Sequence, residues 1–148
     1  MKIAVDVMGT DYGPKELVLG AVNAVKAYGC ETVLVGDEKI IKKLLVEYHA
    51  DKDERITIHH ASEVIEMQEH PAIAVKSKKD ASIVVAARLL RNKECDALVA
   101  VTSNSETNIL TCVAAKRMGV PKTIAEVENI EYRKLAEGKG VEADINKK

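Results

Sequence analysis

The segment KIAVDVMGTDYGPKELVLGAVNAVKAYG, residues 2–29, decides the fold. KIAVDVM (residues 2–8) reads as a buried strand, and VDVMGTDYGP (residues 5–14) turns the chain. From Pro14, a residue suited to a first helical turn, PKELVLGAVNAVKAY reads as a helix. Leu17, Ala21, Val22 and Val25 share one face of it, and Gly29 stands where a C-cap glycine belongs. Strand, turn and helix in this order form the first half of a βαβ unit.

The pattern repeats outward from that unit. ETVLVG (31–36) is a second strand, and Asp37 caps a helix over 38–48 with Ile40, Ile41, Leu44 and Leu45 inward. RITIHHA (55–61) is a third strand. Residues 62–80 are less regular, with a short helix starting at Pro71 and ending at the lysine run. Asp80 or Ser82 then caps the helix in ASIVVAARLLRNK (81–93). CDALVAVTS (95–103) is a fourth strand, and Ser105 caps ETNILTCVAAKRM (106–118), which Gly119 stops. KTIAEV (122–127), IEYRKLAEG (130–138) and VEADIN (141–146) close the order as strand, helix and strand. Strands separated by helices of this length predict a parallel sheet covered on both faces. Right-handed crossovers make it a doubly wound, Rossmann-like α/β sandwich of six mostly parallel strands. Residues 1–148 read as one such domain.

Composition excludes several function classes. The net charge is −1, Phe and Trp are absent, and Tyr numbers 4. A nucleic-acid partner calls for a basic stripe and stacking aromatics, so none is expected. No apolar run reaches the length of a transmembrane helix, and MKIAVDV is a short strand rather than a signal peptide. Cys30, Cys95 and Cys112 are widely spaced and lie in apolar surroundings. They read as reduced core thiols of a cytoplasmic protein, with no metal centre.

Two family resemblances rest on particular stretches. MKIAVDVMGTDYGPKELVLGAV, VLVGDE and ITIHHASEVIEMQEHPAIAVKSKKDASIVVAARL carry the first. Through residue 94 the chain resembles the N-terminal part of PlsX-type phosphate acyltransferases. That resemblance implies an enzyme making acyl phosphate from acyl-carrier protein and inorganic phosphate, dimeric and peripherally associated with membranes. VTSNSETNI, AKRMGV and AEVENIEY carry the second. From about residue 96 to 148 the chain resembles the second half of the NAD-binding domain of Trk-type potassium-uptake regulators, which implies NAD as a cofactor. A glycine-rich, serine-containing turn is expected after the fourth strand of a phosphate acyltransferase, and VTSNSETN stands there instead. Together the two resemblances predict a recombined or engineered chimera joined near Glu94–Val101. Such a chain would hold no complete active site and would bind phosphate or nucleotide weakly at most. The alternatives are an active phosphate acyltransferase and an NAD-binding regulatory domain.

The candidate site lies at the carboxyl ends of strands one and four. Free N–H groups and the helix dipole favour anions at a strand-to-helix turn. Asp6, Met8, Gly9 and Asp11 match the acyltransferase-like pattern D-x-M-G-G-D, from which Thr10 departs. Two carboxylates oppose a phosphate there: a like-charge pair at roughly 4 Å costs about 4 kcal/mol. A helix end returns only about 0.3–1 kcal/mol. Asp37 either faces a ribose hydroxyl or caps its helix, and no Gly-x-Gly-x-x-Gly accompanies it. The second resemblance implies that Thr102, Ser103 and Asn108, near the carboxyl end of the fourth strand, lie on the edge that faces a nucleotide. Gly9, Asp11, Asp37, Thr102, Ser103 and Asn108 are therefore the candidate ligand-binding residues.

No catalytic residue can be named from spacing. His59 and His60 are neighbours in a strand and point to opposite faces, His70 borders the cleft, and His49 sits at a helix end. Lys76, Lys78 and Lys79 either attract an acidic carrier or phosphate, or form a solvated loop. A small phosphate-containing ligand and a homodimer complete the expected partners.

Overall fold

Six parallel strands form one sheet in the order β3-β2-β1-β4-β5-β6. They belong to a computed structural model that describes residues 1–10, 13–66, 68–117 and 119–145. The elements are β1 (Lys2–Asp6), α1 (Pro14–Tyr28), β2 (Glu31–Gly36), α2 (Glu38–Glu47), β3 (Ile56–His60), α3 (Pro71–Ser77), α4 (Ser82–Arg91), β4 (Ala97–Ala100), α5 (Ser105–Arg117), β5 (Lys122–Val127), α6 (Ile130–Glu137) and β6 (Glu142–Ile145). The sheet is the expected doubly wound α/β arrangement, and β1 and β4 are the central pair at which the winding reverses.

Register explains which face each helix covers. Ala4 pairs with Leu98, and Leu98 with Thr123, so these three point one way. On that side Ala4, Leu98, Ala100 and Ala125 share a core with Ile83 and Ala86 of α4 and Ile109 and Cys112 of α5. On the other side Val18, Val22 and Val25 of α1 and Ile41 and Leu44 of α2 pack with Val7, Leu34 and Ile56. Burying one such aliphatic side chain contributes about 1.5–3 kcal/mol, so the two apolar layers fix the sheet between them. On the α1/α2 side the second half of the sheet is thinly covered: Ile124 is 40% exposed.

Several local expectations are corrected. Val18, not Leu17, lies at the bottom of the α1 stripe, and Ile40 on α2 faces outward. Neither Asp80 nor Ser82 caps α4, whose N-cap is Ala81 without a side-chain bond. Asp80 instead accepts from the Ser62 N–H (2.8 Å) and hydroxyl (2.5 Å), which hold its carboxyl below the usual range. The first turn of α5 is satisfied by Asn104, whose Oδ1 accepts the Thr107 N–H at 2.8 Å. Ser105 lies inside the helix and accepts the Glu128 N–H at 3.0 Å. β4 spans only Ala97–Ala100, because the chain at Thr102 turns to bond with Asn108. β6 spans Glu142–Ile145, and Asn146 of the expected strand lies outside the described residues. Cys95 and Cys112 are buried, whereas Cys30 is only partly so.

Candidate functional site

The carboxyl ends of β1 and β4 meet in a crevice built from two turns. The first follows Asp6. The side chain of Asp6 falls on the α4 side of the sheet, two residues after Ala4, and is fully buried. Its Oδ1 accepts the Met8 N–H at 3.0 Å, which bends the chain out of the strand. Among the described residues Oδ2 has no hydrogen-bond partner. Burial pushes this carboxyl up to about 7, against the opposing pull of the Ser82 hydroxyl and the Met8 N–H. Met8 itself packs so closely on β2 that a Cβ at Gly36 would lie 2.6 Å from its Cγ.

Gly9 then takes a φ of +77° and Gly13 a φ of +69°, both in the region that favours glycine. A Cβ on Gly9 would stand 3.1 Å from Cγ1 of Val64. Thr10 departs from the expected glycine without strain, because the left-handed positions fall on its neighbours. Its hydroxyl donates to the Gly13 carbonyl at 3.0 Å. Gly13 is the N-cap of α1 and supplies no side chain, and among the described residues no side chain bonds the first N–H groups of α1. Asp11 lies outside the described residues.

The second turn follows β4 and is fastened to the first. The Ser103 N–H and hydroxyl both donate to the Gly9 carbonyl, at 2.7 and 2.8 Å. Asn108 is fully buried and works entirely inward. Its Oδ1 accepts from the Thr102 N–H at 3.0 Å and the Thr102 hydroxyl at 2.7 Å. Its Nδ2 donates to the carbonyls of Thr102 (2.8 Å) and Glu126 (2.9 Å). Thr102 and Asn108 thus shape the crevice from behind. Beside it, Ser103, Asn104, Ser105, Glu106, Glu128 and Tyr132 line a polar hollow of about 220 Å³. The negative charge of Glu106 there pushes the Tyr132 hydroxyl up.

The remaining candidates separate from this crevice. Asp37 caps α2: its Oδ1 accepts the Lys39 and Ile40 N–H groups at 2.8 and 3.2 Å. Replacing Asp37 with Ala therefore costs about 1 kcal/mol of stability, read by urea unfolding. His60 supports the same helix end, accepting the Glu38 N–H on Nδ1 at 3.2 Å. His70 is the exposed N-cap of α3 and His49 an exposed residue just past α2. Of the three lysines, Lys78 is committed, donating to the Val64 carbonyl at 2.7 Å and to Glu69 at 2.6 Å. Lys76 and Lys79 border a groove between helices. The sequence reading missed Asp6 as a buried carboxyl. Its signal was a carboxylate at the end of an otherwise apolar central strand.

Comparison with known proteins places this geometry. A family model described as fatty acid synthesis protein matches residues 1–127. A phosphate acyltransferase of Dictyoglomus turgidum is 54% identical over 99 residues, covering 67% of this chain and 29% of that protein. One from Desulfitobacterium hafniense is 39% identical over 147 residues, covering 97% of this chain and 43% of that protein. One from Syntrophomonas wolfei is 41% identical over 134 residues, covering 88% of this chain and 42% of that protein. The chain spans less than half the length of these curated relatives. The family match spans residues 94–101, where a junction was expected, and the Desulfitobacterium hafniense match covers nearly the whole chain. They overturn the reading of a chimera without a function of its own. The VTSNSETN turn lies inside the span of the one family, and no potassium-uptake regulator is needed to account for it. Among the described residues no helix is long and apolar enough to cross a membrane.

Proposed function

This chain belongs to the fatty acid synthesis protein family, and on that premise we propose that it holds the phosphate of a phosphate acyltransferase reaction. An oxygen of inorganic phosphate attacks the carbonyl carbon of a carrier-bound acyl thioester. The C–O bond forms, the C–S bond breaks, and the departing thiolate takes up a proton. The products are acyl phosphate and the free carrier thiol.

One observation carries this reading: α1, 15 residues long, starts at Pro14 behind the N-cap Gly13, and among the described residues no side chain caps it; it follows the β1 turn, which Ser103 fastens to the β4 turn. Unsatisfied N–H groups at a helix start attract an anion and align it without a charged side chain. The charge objection raised by the sequence weakens in the fold. Asp6 is buried behind the turn, and burial favours its neutral form. Gly9 lets the backbone pass close to a ligand, and the Ser103 clasp on its carbonyl keeps the turn in place. Gly9 and Ser103 therefore position the bound phosphate, while Thr102 and Asn108 hold the wall. A homodimer and a cytoplasmic location belong to the same reading.

A helix end without a cation binds weakly, so the phosphate dissociation constant is expected to be on the order of 1 mM. At a hundredfold excess over that constant, phosphate adds about 2.7 kcal/mol to the unfolding free energy. NAD⁺ at equal concentration leaves the melting temperature unchanged. Thiol release from an acylated carrier protein, followed with a thiol-reactive dye, rises with phosphate. The absence of both a phosphate-dependent melting shift and phosphate-dependent thiol release would overturn the proposal.

A further inference from the structure

A second hollow lies away from the crevice, where α3, α4 and α5 enclose a groove of about 510 Å³. Helical spacing builds it. Val84, Ala87, Arg88 and Arg91 form one stripe on α4 and line the groove. Leu110 and Ala114, one turn apart on α5, face them, and Val75 of α3 closes the side. The floor is apolar, and Leu110 keeps 47% of its surface exposed on it. The rim is cationic. Lys76, Lys79, Arg88 and Arg91 stand along it, and no carboxylate is among its described lining residues. Arg88 is steadied by donating to the Lys79 carbonyl at 2.6 Å. Among the described residues the charged ends of Lys76, Lys79 and Arg91 make no hydrogen bond or ion pair.

An apolar trough under unpaired cations complements one kind of molecule, with an apolar tail and an anionic head. The volume falls in the usual range for small-molecule sites. The recess suits a single chain in solution, since a bilayer surface meets flat or protruding faces. We propose that the α3–α4–α5 groove binds a free single-chain fatty carboxylate, its tail along Val84, Ala87 and Leu110 and its head at Lys79 and Arg91. The site is separate from the phosphate crevice and adds a ligand that the transfer reaction itself does not require.

Titration calorimetry with octanoate, decanoate and laurate, each kept below micelle-forming concentration, tests this on the purified chain. Burying a methylene is worth about a fourfold change in affinity, so binding tightens about sixteenfold from octanoate to decanoate. The double variant Lys79→Glu, Arg91→Glu, with its fold checked by circular dichroism, weakens laurate about tenfold. Dodecyltrimethylammonium binds at least as weakly as octanoate, and inorganic phosphate does not compete with laurate. Affinity independent of tail length would overturn the proposal. So would equal affinity for the cationic amphiphile, an unaffected double variant, or competition by phosphate. Binding to phosphatidylglycerol vesicles without binding of monomeric laurate would make the groove a membrane contact instead. The tail-length, head-charge and double-variant outcomes leave the phosphate reading untouched, because that reading is tested by phosphate-dependent thiol release.

Discussion

Asp6→Asn makes the chain more stable above pH 7 and removes most of the pH dependence of its stability between pH 4 and 7. The sign follows from where the proton sits. The Asp6 carboxyl, with an ordinary value of 3.8, is raised by burial to about 7 in the folded chain. Between those values the folded chain holds a proton that the unfolded chain has released. Stability therefore falls as pH rises from about 4 to about 7, and is level with respect to this group above that. A shift of this size corresponds to about 4 kcal/mol for ionised Asp6 relative to its neutral form. Asparagine keeps an oxygen for the Met8 N–H and carries no charge to bury. Urea unfolding at pH 5, 6, 7 and 8 reads the effect as a sloping series for the native chain and a flatter one for the variant. Parallel slopes would mean that Asp6 does not titrate in this range.

Asn108→Ala has an effect of similar size and opposite sign. One amide makes four hydrogen bonds, two to Thr102 through Oδ1 and one each to the Thr102 and Glu126 carbonyls through Nδ2. Alanine takes the partner from the buried N–H and carbonyl of Thr102, and each such group costs about 1–3 kcal/mol. The expected loss is about 3–5 kcal/mol, a fall of roughly 10 °C in melting temperature for a chain of this size. Thr102→Ala removes a hydroxyl and keeps the backbone bonds, so it costs about 1 kcal/mol. Thermal and urea unfolding of the two variants side by side separate them. A loss below about 1 kcal/mol for Asn108→Ala would show that the β4–α5 turn is held by other contacts.

The elements were legible where one physical demand dominates a stretch. The α1 stripe, Pro14 and Gly29 state a helix and both its ends, and the N-cap role of Asp37 was one of its two expected readings. What escaped depends on partners distant in sequence. The end of β4 is set by Asn108, six residues on, and nothing in ALVAVTS announces it. Asp80 looks like a helix cap until Ser62, from another loop, takes both its bonds. The protonation of Asp6 depends on α4 closing over it. The chimera reading failed for a related reason. A buried parallel strand and its following helix face the same packing demands in many proteins, so short runs such as DALVA and AEVENIEY resemble more than one family. Only the alignment across residues 94–101 decides between them. In the candidate site the structure brings Gly9 and Ser103 together, whereas Asp37 lies apart on α2.

The side-by-side placement of β1 and β4 also imposes an order of events on folding. β1, β2 and β3 join through crossovers between sequence neighbours, but β4 must find β1 across most of the intervening chain. That seam is stitched at both ends by residues 94 apart, Lys2 with Asp96 and Gly9 with Ser103. Closing so long a loop is entropically slow, so the last three strands add to the first three late, and their parting is an early step of opening. A ligand seated between the two turns would bridge the last contact made and the first one lost. Its grip would be felt as a brake on unfolding more than as a spur to folding.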